Sequence, residues 1–152
     1  MDMKDRYDRY LENIKKQQIR ESFQGNAISS APSMLARLRD QVVEQLNDYN
    51  AVFGQRAADK HCRAEFKDLI SNGLRHGFTV SVGSSSVSVV LQKGTTVICF
   101  DFSGPIAEKA STDCVEARPD DNGKVGYWHG KNDDFVDEVF ISDLILDPVL
   151  CK

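Results

Sequence analysis

Residues 76–102 read HGFTVSVGSSSVSVVLQKGTTVICFDF, and the spacing of their apolar side chains decides the fold. Phe78, Val80 and Val82 alternate with Thr79 and Ser81. Val87, Val89 and Leu91 alternate with Ser88 and Gln92, and Ile98, Phe100 and Phe102 alternate with Val97, Cys99 and Asp101. A period of two is that of a strand with one buried face. The links VGSSS and QKGT are short and each holds a glycine. Antiparallel strands in a meander are joined this way, whereas parallel strands need crossovers of about a dozen residues or more. Gly83-Ser84-Ser85-Ser86 is therefore a four-residue hairpin loop. A phosphate-cradling loop needs GxxxxGK[ST] and a nucleophile elbow needs GxSxG, each opening a helix. Here a strand follows, and Val87 stands where the elbow's second glycine belongs.

Working outward, two further strands are expected near 110–117 and 124–129, with a turn at Pro119-Asp120-Asp121-Asn122-Gly123 between them. Upstream the period changes to that of a helix. Tyr7, Tyr10, Leu11, Ile14 and Gln18 share one face over residues 3–23, ending before Gly25-Asn26. Pro32 and its flanking serines suit the start of a second helix, which Leu35, Leu38, Val42, Leu46, Tyr49 and Phe53 carry to Gly54. A third is expected over 56–72, with Ala58, Cys62, Phe66 and Leu69 inward and Asn72-Gly73 as its stop. Asn132, Asp133 and Asp134 suit the N-terminus of a last helix that ends near Pro148. The expectation is an α+β fold: N-terminal helices, then a five-stranded antiparallel meander sheet, then a C-terminal helix, with the helices on one face of the sheet. Residues 1–152 form a single domain, in which 1–24 is a candidate helical arm and 33–152 the globular core.

The 152 residues are 41% hydrophobic and 28% charged, enough for a core without staples. Cys62, Cys99, Cys114 and Cys151 are scattered and include no CxxC pair, so they read as reduced thiols of a cytoplasmic protein. No run approaches the ~18 apolar residues of a membrane span. The net charge of −4 is unevenly spread: residues 1–100 hold 14 Lys and Arg against 11 Asp and Glu, and residues 101–152 hold 5 against 12. That balance disfavours a generally basic nucleic-acid binder.

No catalytic constellation is legible. His61, His76 and His129 do not sit at zinc spacing, and Cys99 lies mid-strand among apolar residues, where a thiol packs. An EF-hand register on Gly123 puts Arg118 and His129 where carboxylates belong. No catalytic residue, metal or cofactor is assigned. Two surface features remain. Arg56, Lys60, Arg63 and Lys67 recur at helical spacing and form a candidate anion or nucleic-acid face, against the plainer reading of a solvated helix side. In GYWHG, residues 126–130, Tyr127 and Trp128 point to opposite sides of a strand, so only one enters the core; a buried Trp128 is the commoner outcome.

These features point to a non-enzymatic protein-binding module: a small acidic cytosolic regulator, inhibitor or chaperone-like protein of bacterial or phage type. Its candidate contact residues are Tyr127, Trp128, His129, Asp133, Asp134, Asp137 and Glu138, and self-association through the N-terminal helix is allowed. The alternative is a small-molecule-binding domain or simple enzyme with a pocket lined by Phe100, Phe102, Tyr127 or Trp128, with His129 as its polar group. Nucleic-acid binding through the basic face is the third reading.

Overall fold

A computed structural model describes residues 2–53, 62–108 and 110–151. One helix, α1 (Met3–Phe53), is followed by seven strands: β1 (Ala64–Ser71), β2 (Leu74–Val82), β3 (Ser85–Leu91), β4 (Val97–Ser103), β5 (Asp113–Pro119), β6 (Val125–His129) and β7 (Asp134–Val136). A 3-10 turn (Pro105–Glu108) precedes β5, and helix α2 (Glu138–Leu146) closes the chain. The strands pair in sequence order, all antiparallel, in one seven-stranded sheet. The fold is α+β, as the sequence implies, but with seven strands where five were expected.

Both additional strands replace expected helix. Residues 64–71 form β1, with Ala64 and Phe66 turned toward the core and Glu65 and Lys67 exposed. Asn72 and Gly73 have φ of 53° and 76°, the paired left-handed residues of a type I′ hairpin. The same dipeptide also ends helices, so the local signal is ambiguous until β1 finds β2. The rest of the expected third helix, up to His61, lies outside the described residues. At the other end, Asp134–Val136 adds β7 beside β6, and α2 starts later than expected. Asp137 is its N-cap, with Oδ1 accepting from the Phe140 N–H at 2.8 Å.

The two expected N-terminal helices are one. α1 spans 51 residues, about 76 Å at 1.5 Å per residue, and runs through Gly25-Asn26 and Pro32. An interior proline costs about 3 kcal/mol, since it removes one backbone bond and crowds the preceding turn. Here Ala27, Ala31, Met34, Leu35 and Leu38 are buried on either side of it and hold the helix together. Residues 2–13 and 15–22 are exposed, and Phe23 is the first aromatic to touch the body, its ring lying against Gly123.

The core lies between the helices and one sheet face. Phe78, Val80, Val87, Val89, Ile98, Phe100, Val115 and Tyr127 meet Leu38, Val42 and Leu46 of α1 and Ile141 and Ile145 of α2. The link between β2 and β3 is tighter than the four-residue loop expected. Ser85 pairs with Val82 and Ser86 with Ser81, leaving Gly83 and Ser84 as the turn. Gly83 at φ 61° in the first turn position is the signature of type II′.

The cysteines are not reduced. Cys62 is joined to Cys151 and Cys99 to Cys114. Cys99 and Cys114 are opposed partners in the β4–β5 ladder, a proximity that the register creates. At the other bridge, Tyr49 donates to the Cys62 carbonyl and accepts from the Cys151 N–H.

Candidate functional site

The expected contact residues divide between the two faces of β6 and the segment after it. Tyr127 is the buried member of the aromatic pair and Trp128 lies half-buried on the face away from the helices, the reverse of the commoner outcome. Alternation decides this: Tyr127 shares its face with Val125 and His129. Trp128 is held between Arg118, whose guanidinium carbon is 4.4 Å from the ring centroid, and Phe135, whose ring is edge-on at 5.2 Å. The Tyr127 hydroxyl is 2.7 Å from the Met34 carbonyl and 3.1 Å from Glu138 Oε1. Burial first, and the Glu138 carboxylate second, push its pKa far above the ordinary tyrosine range. Glu138 also accepts from Arg37, so this expected contact residue holds α2 to α1.

Asp133 is left-handed, with φ 51°, in the turn after β6, and Asp134 opens β7. Asp137 and Glu138, but neither Asp133 nor Asp134, line a groove of about 520 Å³, together with Arg37 of α1, Asp120 and Lys124 of the β5–β6 turn, Val125 and Gly126 of β6, Phe135 and Val136 of β7, and Val139 of α2. β7 pairs only with Tyr127, Trp128 and His129, which leaves Val125 and Gly126 beyond its end as the floor. Phe135 and Val139 are exposed at its rim.

A second hollow, about 450 Å³, lies among Phe100, Phe102, Ile106 and Leu144, with Asp113 and Lys131 at its polar end. His129 is buried and stands 2.7 Å from Asp113 Oδ2. An ionised carboxylate only accepts, so His129 donates through Nε2, and its buried Nδ1 has no hydrogen-bond partner among the described residues. Lys131 Nζ is 3.7 Å from Asp113 Oδ2 and donates to Ser111 Oγ at 3.3 Å. Asp113 escaped the sequence reading, yet it has the parity of Val115 and Ala117 and so belongs to the inward face of β5. Tyr127 and Trp128 do not line this hollow.

Two residues of the expected basic face, Arg63 and Lys67, are among the described residues. Arg56 and Lys60 lie outside the described residues. Arg63 and Lys67 lie at and within the edge strand, not on a helix, and the spacing that grouped them no longer places them together. Two guanidinium–carboxylate pairs were also missed, because their partners are far apart in sequence. Arg39 binds Asp68 through Nε at 2.7 Å and a second nitrogen at 2.9 Å, holding the carboxyl below its ordinary range, with Arg75 assisting at 3.4 Å. Arg37 with Glu138 is the other.

The exposed part of α1 is the remaining candidate. Met3, Tyr7, Tyr10 and Leu11 are 76%, 61%, 60% and 39% exposed, with Ile14 half-buried. At 100° per residue the line Met3, Tyr7, Tyr10, Ile14 is rotated about 90° from the core-facing line Ala27, Ala31, Leu38, Val42. The arm therefore carries an apolar stripe that is offset from the centre of the core-facing arc and borders it on the side of Leu35 and Leu46.

Among the described residues, no three His, Cys, Asp or Glu side chains cluster closely enough to hold a metal ion, and no helix is long and apolar enough to cross a membrane. Comparison of the chain with family models, with curated proteins and with solved structures finds no match.

Proposed function

We propose that this protein is a non-enzymatic protein-binding module whose N-terminal helical arm is its docking element. One observation carries the reading: a line of large apolar side chains, Met3, Tyr7, Tyr10 and Leu11, lies exposed on a helix that the body anchors from Phe23 onward. Exposed aromatics presented on a preorganised helix are favoured interface anchors, because little rotamer or backbone entropy remains to be lost on binding. Asp133, Asp134 and Asp137, in the segment after β6, would steer a basic partner surface and make association depend on salt. A photo-crosslinking residue at position 10 in the native host, identified by mass spectrometry, tests this. Specific adducts lost on Tyr7→Glu are expected; adducts unchanged by that substitution overturn it.

The two disulfides favour an oxidising compartment over the cytoplasm that the composition suggested, since cytosolic reductants keep thiols reduced. Mass analysis of protein alkylated at once on lysis should show no modified cysteine.

The hollow at Phe100 and Phe102 favours a second reading, a binder of small apolar molecules with one polar group directed at Lys131 and Asp113. A ligand at a hundred times its Kd would stabilise the fold by about 2.7 kcal/mol. A thermal-shift screen with no hit on the native chain that Phe102→Ala abolishes removes this reading. The nucleic-acid reading loses its motivation with the helix that grouped its residues.

A further inference from the structure

We infer that the hollow at Phe100 and Phe102 takes a free α-amino acid with a large apolar side chain, its ammonium on Asp113 and its carboxylate on Lys131. The inference rests on the reading of this hollow as a ligand site and names the chemical class that it takes. The apolar end is built from Phe100 and Ile106, both buried, and from the half-buried Phe102, whose ring stands edge-on to Phe100 with 6.4 Å between centroids. Such walls suit an aromatic or branched aliphatic group, and about 450 Å³ lies within the roughly 300–1,000 Å³ of small-molecule sites.

The polar end carries both signs of charge. Among the described residues its charged side chains are Asp113, Asp147 and Lys131. Asp113 is the fixed member: its side chain is 13% exposed, Oδ1 accepts from the Cys114 N–H at 2.8 Å and Oδ2 from His129 at 2.7 Å. Lys131 is the adjustable one, 57% exposed, with Nζ 3.7 Å from Asp113 Oδ2 and 3.3 Å from the Ser111 hydroxyl. A ligand bearing only a carboxylate would set it against Asp113 and Asp147, and one bearing only an ammonium would set it against Lys131. Like charges side by side cost affinity. An ammonium and a carboxylate on one carbon meet both signs: the ammonium takes the place at Asp113 that Lys131 Nζ holds, and Nζ turns with the Ser111 hydroxyl to the carboxylate. Neither charge of the Asp113–Lys131 pair is left without a partner in this exchange.

The test is isothermal titration of the full, disulfide-bonded chain with L-phenylalanine, with phenylpropionate, which lacks the ammonium, and with phenethylamine, which lacks the carboxylate. Phenylalanine is expected to bind at least about tenfold more tightly than either analogue, a difference of about 1.4 kcal/mol or more. Lys131→Met, at an exposed position, should weaken phenylalanine by a similar factor without weakening phenethylamine, a split that loss of folding would not produce. No binding of phenylalanine, an analogue that binds as tightly, or full affinity for phenylalanine in Lys131→Met overturns the inference. If an analogue binds as tightly and Phe102→Ala abolishes its binding, the amino-acid assignment fails while the hollow remains a ligand site. If phenylalanine does not bind and the broader thermal-shift screen is silent too, both fall.

Discussion

The hydroxyl of Tyr127 in β6 lies 2.7 Å from the carbonyl oxygen of Met34, two residues beyond Pro32 in α1. This contact fixes the helix to the sheet just past the point where its own hydrogen bonding is interrupted, and it turns an aromatic that could have faced solvent into a structural residue.

Tyr127→Phe should destabilise the protein by about 1 kcal/mol at neutral pH, the usual net loss of one buried hydrogen bond. The pH dependence has a defined sign. The folded-state pKa of Tyr127 is raised above its unfolded value, so the contribution is complete below about pH 10 and is lost as pH rises above that. Denaturant titrations between neutral and strongly alkaline pH should therefore show a steeper decline for wild type than for Tyr127→Phe. Parallel declines would show that the hydroxyl ionises as freely folded as unfolded.

Asp68 acts at the other end of the scale. Its pKa is lowered, first by the hydrogen bonds from Arg39, so its contribution is present above the unfolded value of about 3.9 and disappears as pH falls through the lower folded value. Arg39→Met should flatten the acid limb of the stability curve. An unchanged limb would place the acid sensitivity elsewhere.

Each disulfide should stabilise according to the loop it closes. Cys62 and Cys151 are 89 residues apart and Cys99 and Cys114 are 15 apart. Loop-closure entropy gives between about 4 and 5 kcal/mol for the first and about 3 for the second. Paired Cys→Ser variants compared by chemical denaturation should preserve that order. A larger loss at Cys99–Cys114 would mean that its place in the ladder outweighs loop length.

Gly83→Ala puts a side chain at φ 61° and should cost about 1–2 kcal/mol. Replacing Ser84, Ser85 and Ser86 together with Ala should leave any partner binding unchanged, since these serines make a turn and a strand start. Loss of crosslinking at position 10 in that triple variant, with folding intact, would contradict this assignment.

Where the sequence reading succeeded, a local pattern was enough. The alternation through Phe78–Val82, Val87–Leu91 and Ile98–Phe102 identified three strands, because each needs only a period of two and a short link. The reading of residues 3–23 and 33–53 found nearly all of α1 but divided it at Gly25 and Pro32, since propensity at those positions opposes what burial of Ala27 and Ala31 enforces. The candidate site was less legible. Glu138 and Asp137 were singled out as surface acids, yet one anchors α2 to α1 and the other caps α2, roles visible only when distant elements meet.

Short-range spacing in the chain by itself determined the α+β class, the meander and the apolar stripe of the arm, because helical and strand periods are written within a few residues. Tertiary structure decided that Asn72-Gly73 is a hairpin turn and not a helix stop, that Tyr127 and not Trp128 enters the core, and that four scattered cysteines form two bridges. Each of these depends on which strand lies beside which, and register is a property of the whole sheet.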